Sequence, residues 1–485
     1  MPDRTIAPVA LRKHSPQGNR FGGAAPVRDT LLGAPRQHRR ALTVLVMNML
    51  AILGFVTIGV FLAFVTLTRT PVIVALVLVP LATAVAGGFS GQAGAFAVDG
   101  LRTVAPVAAL IMFAVLYFGL MIDVGLFTPL IERLLGFVHG DPVRLCLATA
   151  ALAMLVALDG DGATTFLISI TALLPVHRRL GMTPLVLPAI VALAAGVMNM
   201  LPWGGPTARA MSVLRAGVDQ VFIPVLPAMG MGIVWVFFVA WRLGRSERRR
   251  LATGPPFVPE TLSEAVVTPH PASRALFYFN AALTIVVIVL LLQGLFPASV
   301  GLPELPAPLV FMVAFAIALP VNRRTATAER DQMASHAASA VLVVSMILAA
   351  GVFTGILNGS GMIKAMAIVL ASSIPSAVSP WLSQIVALTS MPLSLVFTPD
   401  AFYFGVLPVF ADVTSALGRD PVTIGRAAIL GQMTTGFPLS PLTASTFILV
   451  GLSGVSLREH QRYVFKWALG TTVVMTIVAS ITGAI

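Results

Sequence analysis

The chain has 485 residues, of which 57% are hydrophobic and only 10% are charged, and its formal net charge is +12. A soluble domain carries about 25% charged residues, so this composition excludes a soluble globular protein and predicts a polytopic α-helical membrane protein. A single cysteine, Cys146, excludes an intrachain disulfide and a cysteine-based metal cluster. Arginines in the loops of a membrane protein set its topology, and the sequence contains no nucleic-acid-binding motif.

The N-terminal stretch, residues 1–40, is polar and rich in Arg, Pro, Gly and Ala. It lacks apolar periodicity, which predicts a disordered basic tail. One hypothesis is that translation starts at Met47 or Met49, so that the mature protein lacks most of residues 1–46. Intact-mass measurement of native protein tests this, and an N-terminus at Met1 or Pro2 would contradict it. The first transmembrane repeat is predicted over residues 41–241.

Within this repeat, the polar stretch Asp159–Thr165 separates two apolar runs. Each run is shorter than the about 20 residues that cross a bilayer core, which predicts a re-entrant hairpin over residues 145–176 with its polar tip inside the membrane. Positive charges at Arg144 and at His177–Arg179 place both ends of the hairpin in the cytoplasm. The alternative is a surface loop between two ordinary helices.

A broken helix is predicted over residues 184–218, interrupted at Pro202–Thr207. Two prolines and two glycines lie in that interruption, and these residues cost helix hydrogen bonds and backbone entropy. A broken helix frees backbone N–H and C=O groups to bind a ligand near the bilayer midplane. A simple proline kink is the alternative.

The second half follows a predicted cytoplasmic linker, residues 242–273, and forms a second repeat, residues 274–485. It contains a hairpin at 381–410 and a broken helix at 421–455. Gly119 and Gly125 are matched by Gly355 and Gly361, which have the same spacing, and the separation from Gly119 to Pro202 equals that from Gly355 to Pro438. When membrane crossings are counted along the chain, the second hairpin opens on the outer side of the membrane, whereas the first opens in the cytoplasm. The two repeats are therefore predicted to be inverted. The predicted fold is an all-α polytopic membrane protein with two re-entrant hairpins, two broken helices and about 10–12 membrane segments.

Four motifs carry a resemblance to a known family: Leu116–Asp123, Leu158–Thr165, Pro202–Arg209 and Phe402–Val409. At these positions the chain resembles the citrate–metal complex:proton symporter family, within the wider ion transporter superfamily. The similarity extends from about Met49 to the C-terminus.

This resemblance implies import of citrate complexed with a divalent metal, Mg²⁺ or Ca²⁺, by proton symport across the inner (plasma) membrane. It implies that no cofactor is permanently bound and that the partners are the citrate–metal complex, protons, the lipid bilayer and a second copy in a homodimer. It also implies a site formed by the hairpin tips and the broken-helix loops.

The resemblance also implies similarity to the divalent anion:sodium symporter fold, whose members carry uncharged Ser-Asn-Thr tips, whereas this sequence has Asp159, Asp161 and Asp400 instead. A carboxylate, unlike an amide, can take up and release a proton, and its oxygens bind hard cations such as Mg²⁺. These three residues are therefore the candidates for metal or proton coupling. Asp159 or Asp161 could instead cap a hairpin helix, since Asp is a preferred N-cap.

Arg209 closely follows the first break, and its forked donors suit a substrate carboxylate. The alternatives are an ion pair with an Asp and a snorkelling surface charge. The other candidate substrate-binding residues are polar groups and glycines at the tips and breaks: Thr164, Thr165, Asn199, Gly204, Gly205, Thr207, Thr434, Thr435 and Ser440. Each hydroxyl could instead bond to its own helix.

Two other functions remain open from the sequence. The first is transport of another di- or tricarboxylate or of an inorganic anion. The second is an intramembrane enzyme that uses two of the aspartates as a catalytic pair sharing a proton. Paired broken helices favour a transporter, because a catalytic pair does not require them.

Overall fold

The computed structural model describes residues 36–67, 71–137, 140–160, 162–253, 273–293, 305–323 and 325–485. Residues 1–35 of the predicted tail, residues 254–272 of the predicted linker and Asp161 lie outside these ranges. Met47–Ile485 form one compact unit, which contains all the predicted site residues.

Helices make up all the regular secondary structure of the described residues, which confirms the predicted all-α fold. The first half contains α1 (Arg36–Leu67), α2 (Val72–Ala86), α3 (Ala93–Asp123), α4 (Thr128–Phe137), α5 (Pro142–Val156), α6 (Gly162–Arg179), α7 (Val186–Met198), α8 (Gly205–Leu214), α9 (Val218–Val221) and α10 (Leu226–Thr253). The second half contains α11 (Arg274–Leu291), α12 (Ala307–Asn322), α13 (Ala326–Gly359), α14 (Met362–Ser373), α15 (Leu382–Leu393), α16 (Leu407–Ala416), α17 (Val422–Ile429), α18 (Ala444–Ser453) and α19 (Leu457–Ile481).

Within the described ranges, seven helical segments are long and apolar enough to cross a membrane. They are Leu45–Phe64, Ala93–Asp123, Pro142–Asp159, Val218–Thr253, Arg274–Leu291, Ala340–Gly359 and Leu457–Ile481. Large apolar side chains such as Leu45, Ile285 and Leu342 are exposed on their outer faces. Exposed apolar surface of this extent suits contact with lipid rather than water.

Helices α5 and α6 form an antiparallel hairpin whose two open ends attach to the same turn of α10. At the first end, Arg248 binds the Asp141 carboxylate, with 3.1 Å between Nε and Oδ1. At the second end, Arg250 Nη2 donates to the carbonyl oxygen of Gly181, and Thr183 donates to Glu247 through its backbone N–H and its hydroxyl. Both ends of the hairpin therefore lie at the arginine-rich C-terminal end of α10.

Asp141 is the N-cap of α5, where its carboxylate accepts a hydrogen bond from the backbone N–H of Val143 and Pro142 occupies the first turn. Slight burial opposes ionisation of this carboxyl. The hydrogen bonds from Arg248 and Val143 outweigh burial and lower the pKa of Asp141. This cap starts the helix before Leu145, the predicted start of the hairpin.

The two ends of the predicted second hairpin, which carries α15 and α16, are joined by a direct hydrogen bond. Arg419, which follows α16, donates from Nη1 to the carbonyl oxygen of Pro380, which precedes α15, at 2.9 Å. Six residues at its tip, Ala401–Val406, form a π-helix directly before α16. Such π-helical turns are rare and are frequent at functional sites.

Helices α3 and α13 cross antiparallel through close backbone contacts. A Cβ atom at Gly100 would lie 1.9 Å from the carbonyl oxygen of Gly351, and one at Gly119 would lie 2.6 Å from the His336 ring. Small residues allow helices in membranes to approach closely. At the end of α3, the Asp123 carboxylate binds Nε2 of His336 at 2.8 Å.

Two glycines with left-handed backbone follow α3 and α13. Gly125 has φ 73° and Gly361 has φ 79°, and each turns the chain into the next short helix, α4 or α14. These are the positions that the sequence comparison of the two halves pairs.

The ends of two segments differ from the predicted ends. Helix α1 begins at Arg36, ahead of Ala41. Helix α10 continues to Thr253, so the first part of the predicted linker 242–273 is helical. Arg, Leu, Ala and Glu are good helix formers, and the Glu247–Arg250 ion pair adds support one turn apart.

Candidate functional site

The first hairpin tip lies against the first broken helix. After α5 the chain makes a short 3₁₀ turn, Ala157–Asp159, and then turns at Gly160, whose φ is 77°. Trp203 Nε1 donates to the carbonyl oxygen of Leu158 at 2.8 Å, and a Cβ atom at Gly160 would lie 3.1 Å from the Trp203 ring. Trp203 therefore holds the tip that carries Asp159.

The other side of this tip contacts the second broken helix. The rings of Phe166 and Phe437 stack with centroids 5.7 Å apart at an interplanar angle of 14°. A Cβ atom at Gly162 would lie 2.9 Å from the Phe437 ring. The first tip is thus packed between the two breaks.

The predicted interruption of the first broken helix lies between α7, which ends at Met198, and α8, which begins at Gly205. Only glycine fits at position 204, because a Cβ atom there would lie 2.0 Å from the carbonyl oxygen of Asn199. The Thr207 hydroxyl donates to the carbonyl oxygen of Met200 at 2.6 Å. The break is therefore a packed, hydrogen-bonded loop rather than a simple kink.

Asn199 joins the two breaks. Its Nδ2 donates to the carbonyl oxygen of Met433 at 2.6 Å, and its Oδ1 accepts from the backbone N–H of Gly205 at 3.3 Å. Close to this bridge, a Cβ atom at Gly196 would lie 2.8 Å from the carbonyl oxygen of Thr434. In the structure, the Asn199 side chain, which was predicted to bind substrate, holds the two breaks together.

The second break is longer, because α17 ends at Ile429 and α18 begins at Ala444. Met433 has φ 59°, which is unusual for a residue other than glycine. Side chains of α18 and α19 bind successive carbonyl oxygens of the 3₁₀ turn Phe437–Leu439. These bonds are Thr446 Oγ1 to Phe437 O at 2.8 Å, His460 Nε2 to Pro438 O at 3.0 Å and Gln461 Nε2 to Leu439 O at 2.8 Å.

The second tip meets the first broken helix through an ion pair. Arg209 Nε donates to Asp400 Oδ1 at 2.8 Å, and the two side chains are only 8% and 14% exposed. Arg209 Nη1 also donates to the carbonyl oxygen of Gly205 at 3.1 Å. Of the roles considered for Arg209, the structure shows the ion pair with an Asp.

The candidate hydroxyls differ in what they bind. Thr435 pairs with Thr472 at 2.6 Å, and Ser440 Oγ accepts from the Leu442 backbone N–H at 3.2 Å. In contrast, Thr434 Oγ1 is buried and has no hydrogen-bond partner in the described part of the chain. Asp159, Thr164 and Thr165 each have interactions of their own.

Two residues of this site were missed by the sequence analysis. Gln432 is fully buried, accepts from Ser394 Oγ at 2.7 Å, and keeps its Nε2 without a partner among the described residues. Tyr403 donates its hydroxyl to the carbonyl oxygen of Gln432 at 2.9 Å. Gln432 could have been identified from the sequence, because it is the single Gln in the apolar run 427–433.

No group of three or more His, Cys, Asp or Glu side chains within the described ranges is placed to hold a metal ion. The carboxylates at the two tips belong to separate elements that both contact the first broken helix. Asp161 lies outside the described residues.

In this fold, the tips of two helical hairpins meet two broken helices among helices that are long enough to span a membrane. These features together define a multi-pass membrane transporter. The family model described as "Citrate transporter" matches residues 39–431. The chain therefore belongs to the citrate transporter family and is not an enzyme, so the hypothesis of an aspartate-dependent intramembrane enzyme is wrong. In agreement, Asp400 pairs with an arginine rather than with a second carboxylate.

Relatives in Bacillus subtilis (strain 168) match nearly the whole chain. One, named "Citrate transporter", is 46% identical over 90% of this chain and 100% of its own length. Another, named "Mg(2+)/citrate complex secondary transporter", is 42% identical over 90% of this chain and 99% of its own. The crystal structure of the Alcanivorax borkumensis YdaH transporter shares the fold with a TM-score of 0.58 at 13% identity, covering 90% of this chain and 98% of that one.

Proposed function

We propose that this protein imports citrate complexed with a divalent metal, Mg²⁺ or Ca²⁺, by proton symport. The observation that carries the proposal is the buried ion pair of Arg209 with Asp400, because it places one cation and one carboxylate at the meeting point of a hairpin tip and a broken helix. The relative named as a Mg(2+)/citrate complex secondary transporter supports the metal complex as the substrate.

The ion pair is complementary to both charges of such a substrate. A citrate–metal complex presents carboxylates, which suit the guanidinium fork of Arg209, and a hard cation, which suits the Asp400 carboxylate. Mg²⁺ is commonly bound through one or two protein carboxylates while its other positions are filled by substrate and water. On binding, Arg209 moves to a citrate carboxylate and Asp400 to the metal or to a proton.

Simultaneous exchange of partners avoids a large energetic cost. Leaving one member of a buried ion pair without its partner costs about 3 to 5 kcal/mol. Free citrate would satisfy Arg209 and leave Asp400 unpaired, whereas a metal or proton that arrives with citrate satisfies both. Coupling of citrate to a cation follows from this requirement.

We also propose that the two hairpins are re-entrant and that the halves form an inverted repeat. The attachment of both ends of α5 and α6 to one turn of α10 supports re-entry. The antiparallel crossing of α3 and α13 and the paired glycines 125 and 361 support inversion. By length alone, Pro142–Asp159 could instead cross the whole membrane. Labelling of cysteines introduced at the tip, with reagents added from either side of the membrane, tests re-entry against a full crossing.

Uptake of labelled citrate into proteoliposomes under an imposed pH gradient tests the transport proposal. We expect accumulation with Mg²⁺ or Ca²⁺, and loss of accumulation with a chelator or an uncoupler. Uptake that persists with the chelator would contradict the metal complex, and uptake insensitive to the uncoupler would contradict proton symport. Stronger uptake of another di- or tricarboxylate, or of an inorganic anion, would favour that alternative substrate.

A further inference from the structure

A cavity of about 110 Å³ lies at the base of the first hairpin, between the last turn of α6, the start of α7 and the end of α18. Its lining includes His177, Arg178, Thr183, Leu187, Ser453 and Gly454. One water needs about 10 to 15 Å³ of cavity, whereas drug-sized ligands occupy pockets of about 300 to 1,000 Å³. The cavity therefore has room for a small polyatomic ion but not for a large organic ligand.

The inner wall of this cavity carries a histidine whose ring has unused hydrogen-bonding groups. His177 is only 3% exposed, and neither of its ring nitrogens has a hydrogen-bond partner among the described residues. Buried polar atoms are almost always paired, and each exception needs an explanation. Burial disfavours a charge on the ring, and a neutral imidazole has one N–H donor and one acceptor nitrogen. A ligand that satisfies the ring must therefore accept one hydrogen bond and donate another.

The charge at the mouth of the cavity is positive. Arg178 is exposed and extends over the end of α18, where a Cβ atom at Gly454 would lie 3.7 Å from its Nη2. Its guanidinium forms no ion pair in the part of the chain that the structure describes. The Glu247 carboxylate beside the cavity already accepts hydrogen bonds from Thr183 and Arg250. An open cation next to a satisfied carboxylate favours an anionic ligand.

The remaining polar side chain of the wall adds an acceptor. Ser453 donates its hydroxyl to the carbonyl oxygen of Leu449 at 2.7 Å, so its Oγ is left to accept. The ligand therefore has to be an anion that can also donate a hydrogen bond to His177 or Ser453. Hydrogen phosphate meets both requirements, because its anionic oxygens accept and its P–OH group donates. Sulfate and phosphodiesters have no such O–H group at neutral pH.

We propose that this cavity binds a small oxyanion that still carries a proton, such as inorganic phosphate, between Arg178 and His177. The site is separate from the hairpin tips, because His177 lies 15 positions after Gly162 in α6, which is about 22 Å of helix. It does not depend on the proposed function. The bound ion connects the last turn of α6 to the end of α18, whose neighbouring segments already meet at the stacked rings of Phe166 and Phe437. It thereby holds the base of the first hairpin against the second broken helix.

Matched substitutions at neighbouring arginines test this assignment. Arg178→Met removes the cation of the site, and Arg179→Met removes an exposed arginine that does not line the cavity. Equilibrium binding of labelled inorganic phosphate to the purified protein is measured with and without Mg–citrate. We expect Arg178→Met to raise the Kd for phosphate by about tenfold, since charge-assisted hydrogen bonds are lost. Arg179→Met should change it by less than about threefold, and Mg–citrate should leave it unchanged.

Substitutions of His177 test the buried end of the site. His177→Phe replaces the ring by an apolar one and should abolish phosphate binding. The thermal unfolding midpoint of the ligand-free variant should stay the same or rise, because a buried unsatisfied group is removed. His177→Gln keeps one donor group and one acceptor and should retain phosphate binding. Sulfate should bind to the wild-type protein about tenfold more weakly than phosphate, because it cannot donate a hydrogen bond.

Four results would overturn the assignment. The first is no phosphate binding to the wild-type protein, and the second is unchanged affinity in His177→Phe or equal loss in the two arginine variants. The third is displacement of phosphate by Mg–citrate, since the anion would then occupy the transport site. The fourth is sulfate binding as tight as phosphate binding, or displacement of phosphate by an anionic phospholipid, since the proton on the ligand would then have no role.

Discussion

Replacing Asp400 with Asn removes the charge opposite Arg209 and keeps the size of the side chain. The guanidinium then remains buried, at 8% exposure, without its carboxylate. Breaking a buried pair in this way costs about 3 to 5 kcal/mol, so we expect Asp400→Asn to lower the stability of the ligand-free protein by that amount. Arg209→Met should have a similar cost, since it leaves Asp400 unpaired.

The double variant Arg209→Met/Asp400→Asn should recover most of this loss, because exchange of a whole buried pair for uncharged groups is often nearly neutral. Arg248 and Asp141 supply the control pair, with side chains 55% and 23% exposed. The coupling energy of a pair at the surface is about 0 to 1 kcal/mol. Both double-mutant cycles can be measured from unfolding transitions of the purified protein in detergent.

The two cycles should therefore differ clearly. We expect a coupling energy above about 2 kcal/mol for the buried pair and a much smaller one for the exposed pair. Additive effects of Arg209→Met and Asp400→Asn would refute the reasoning, since they would mean that the two charges do not depend on each other. Citrate uptake should fail in both single variants and in the double variant.

Three further substitutions and one control substitution test the fold around the site. Gly100→Ala should destabilise the protein by about 1 to 3 kcal/mol, because its Cβ would lie 1.9 Å from a backbone oxygen of α13. The control, Gly59→Ala, should not destabilise the protein, because nothing lies within 4 Å of its Cβ position. Unfolding midpoints of the two variants measure the difference. Gly361→Ala should cost about 1 to 2 kcal/mol in the same assay through its φ of 79° alone, since the space around it is open. Asn199→Leu leaves the Met433 carbonyl and the Gly205 N–H unpaired, so it should cost about 1 to 3 kcal/mol per group and abolish citrate uptake; normal uptake would contradict its bridging role.

The sequence contains strong local signals for the breaks and turns of this fold. Clustered proline and glycine at Pro202–Thr207 predicted the first interruption, because these residues cannot continue a helix at low cost. Equal spacing in the two halves predicted the pairing of Gly125 with Gly361, and both have left-handed backbone in the structure. Such features depend on a few neighbouring residues and can be read without the fold.

The contacts within the site could not be predicted in this way. Arg209 and Asp400 are 191 positions apart, and Asn199 and Met433 are 234 apart, so no local pattern relates them. Met433 has a left-handed backbone although it is neither Gly nor Asn, and nothing in the local sequence predicts this conformation. The unpartnered state of Thr434 likewise depends on which acceptors the neighbouring helices supply.

Equilibrium binding of labelled citrate to the purified protein tests the central claim most directly, namely that the acidic tips accept a citrate–metal complex. Total citrate is held constant while Mg²⁺ is varied, and a chelator gives the metal-free reference. The account predicts that bound citrate follows the concentration of the Mg–citrate complex and disappears with the chelator. Binding that is equal with and without the metal would contradict it.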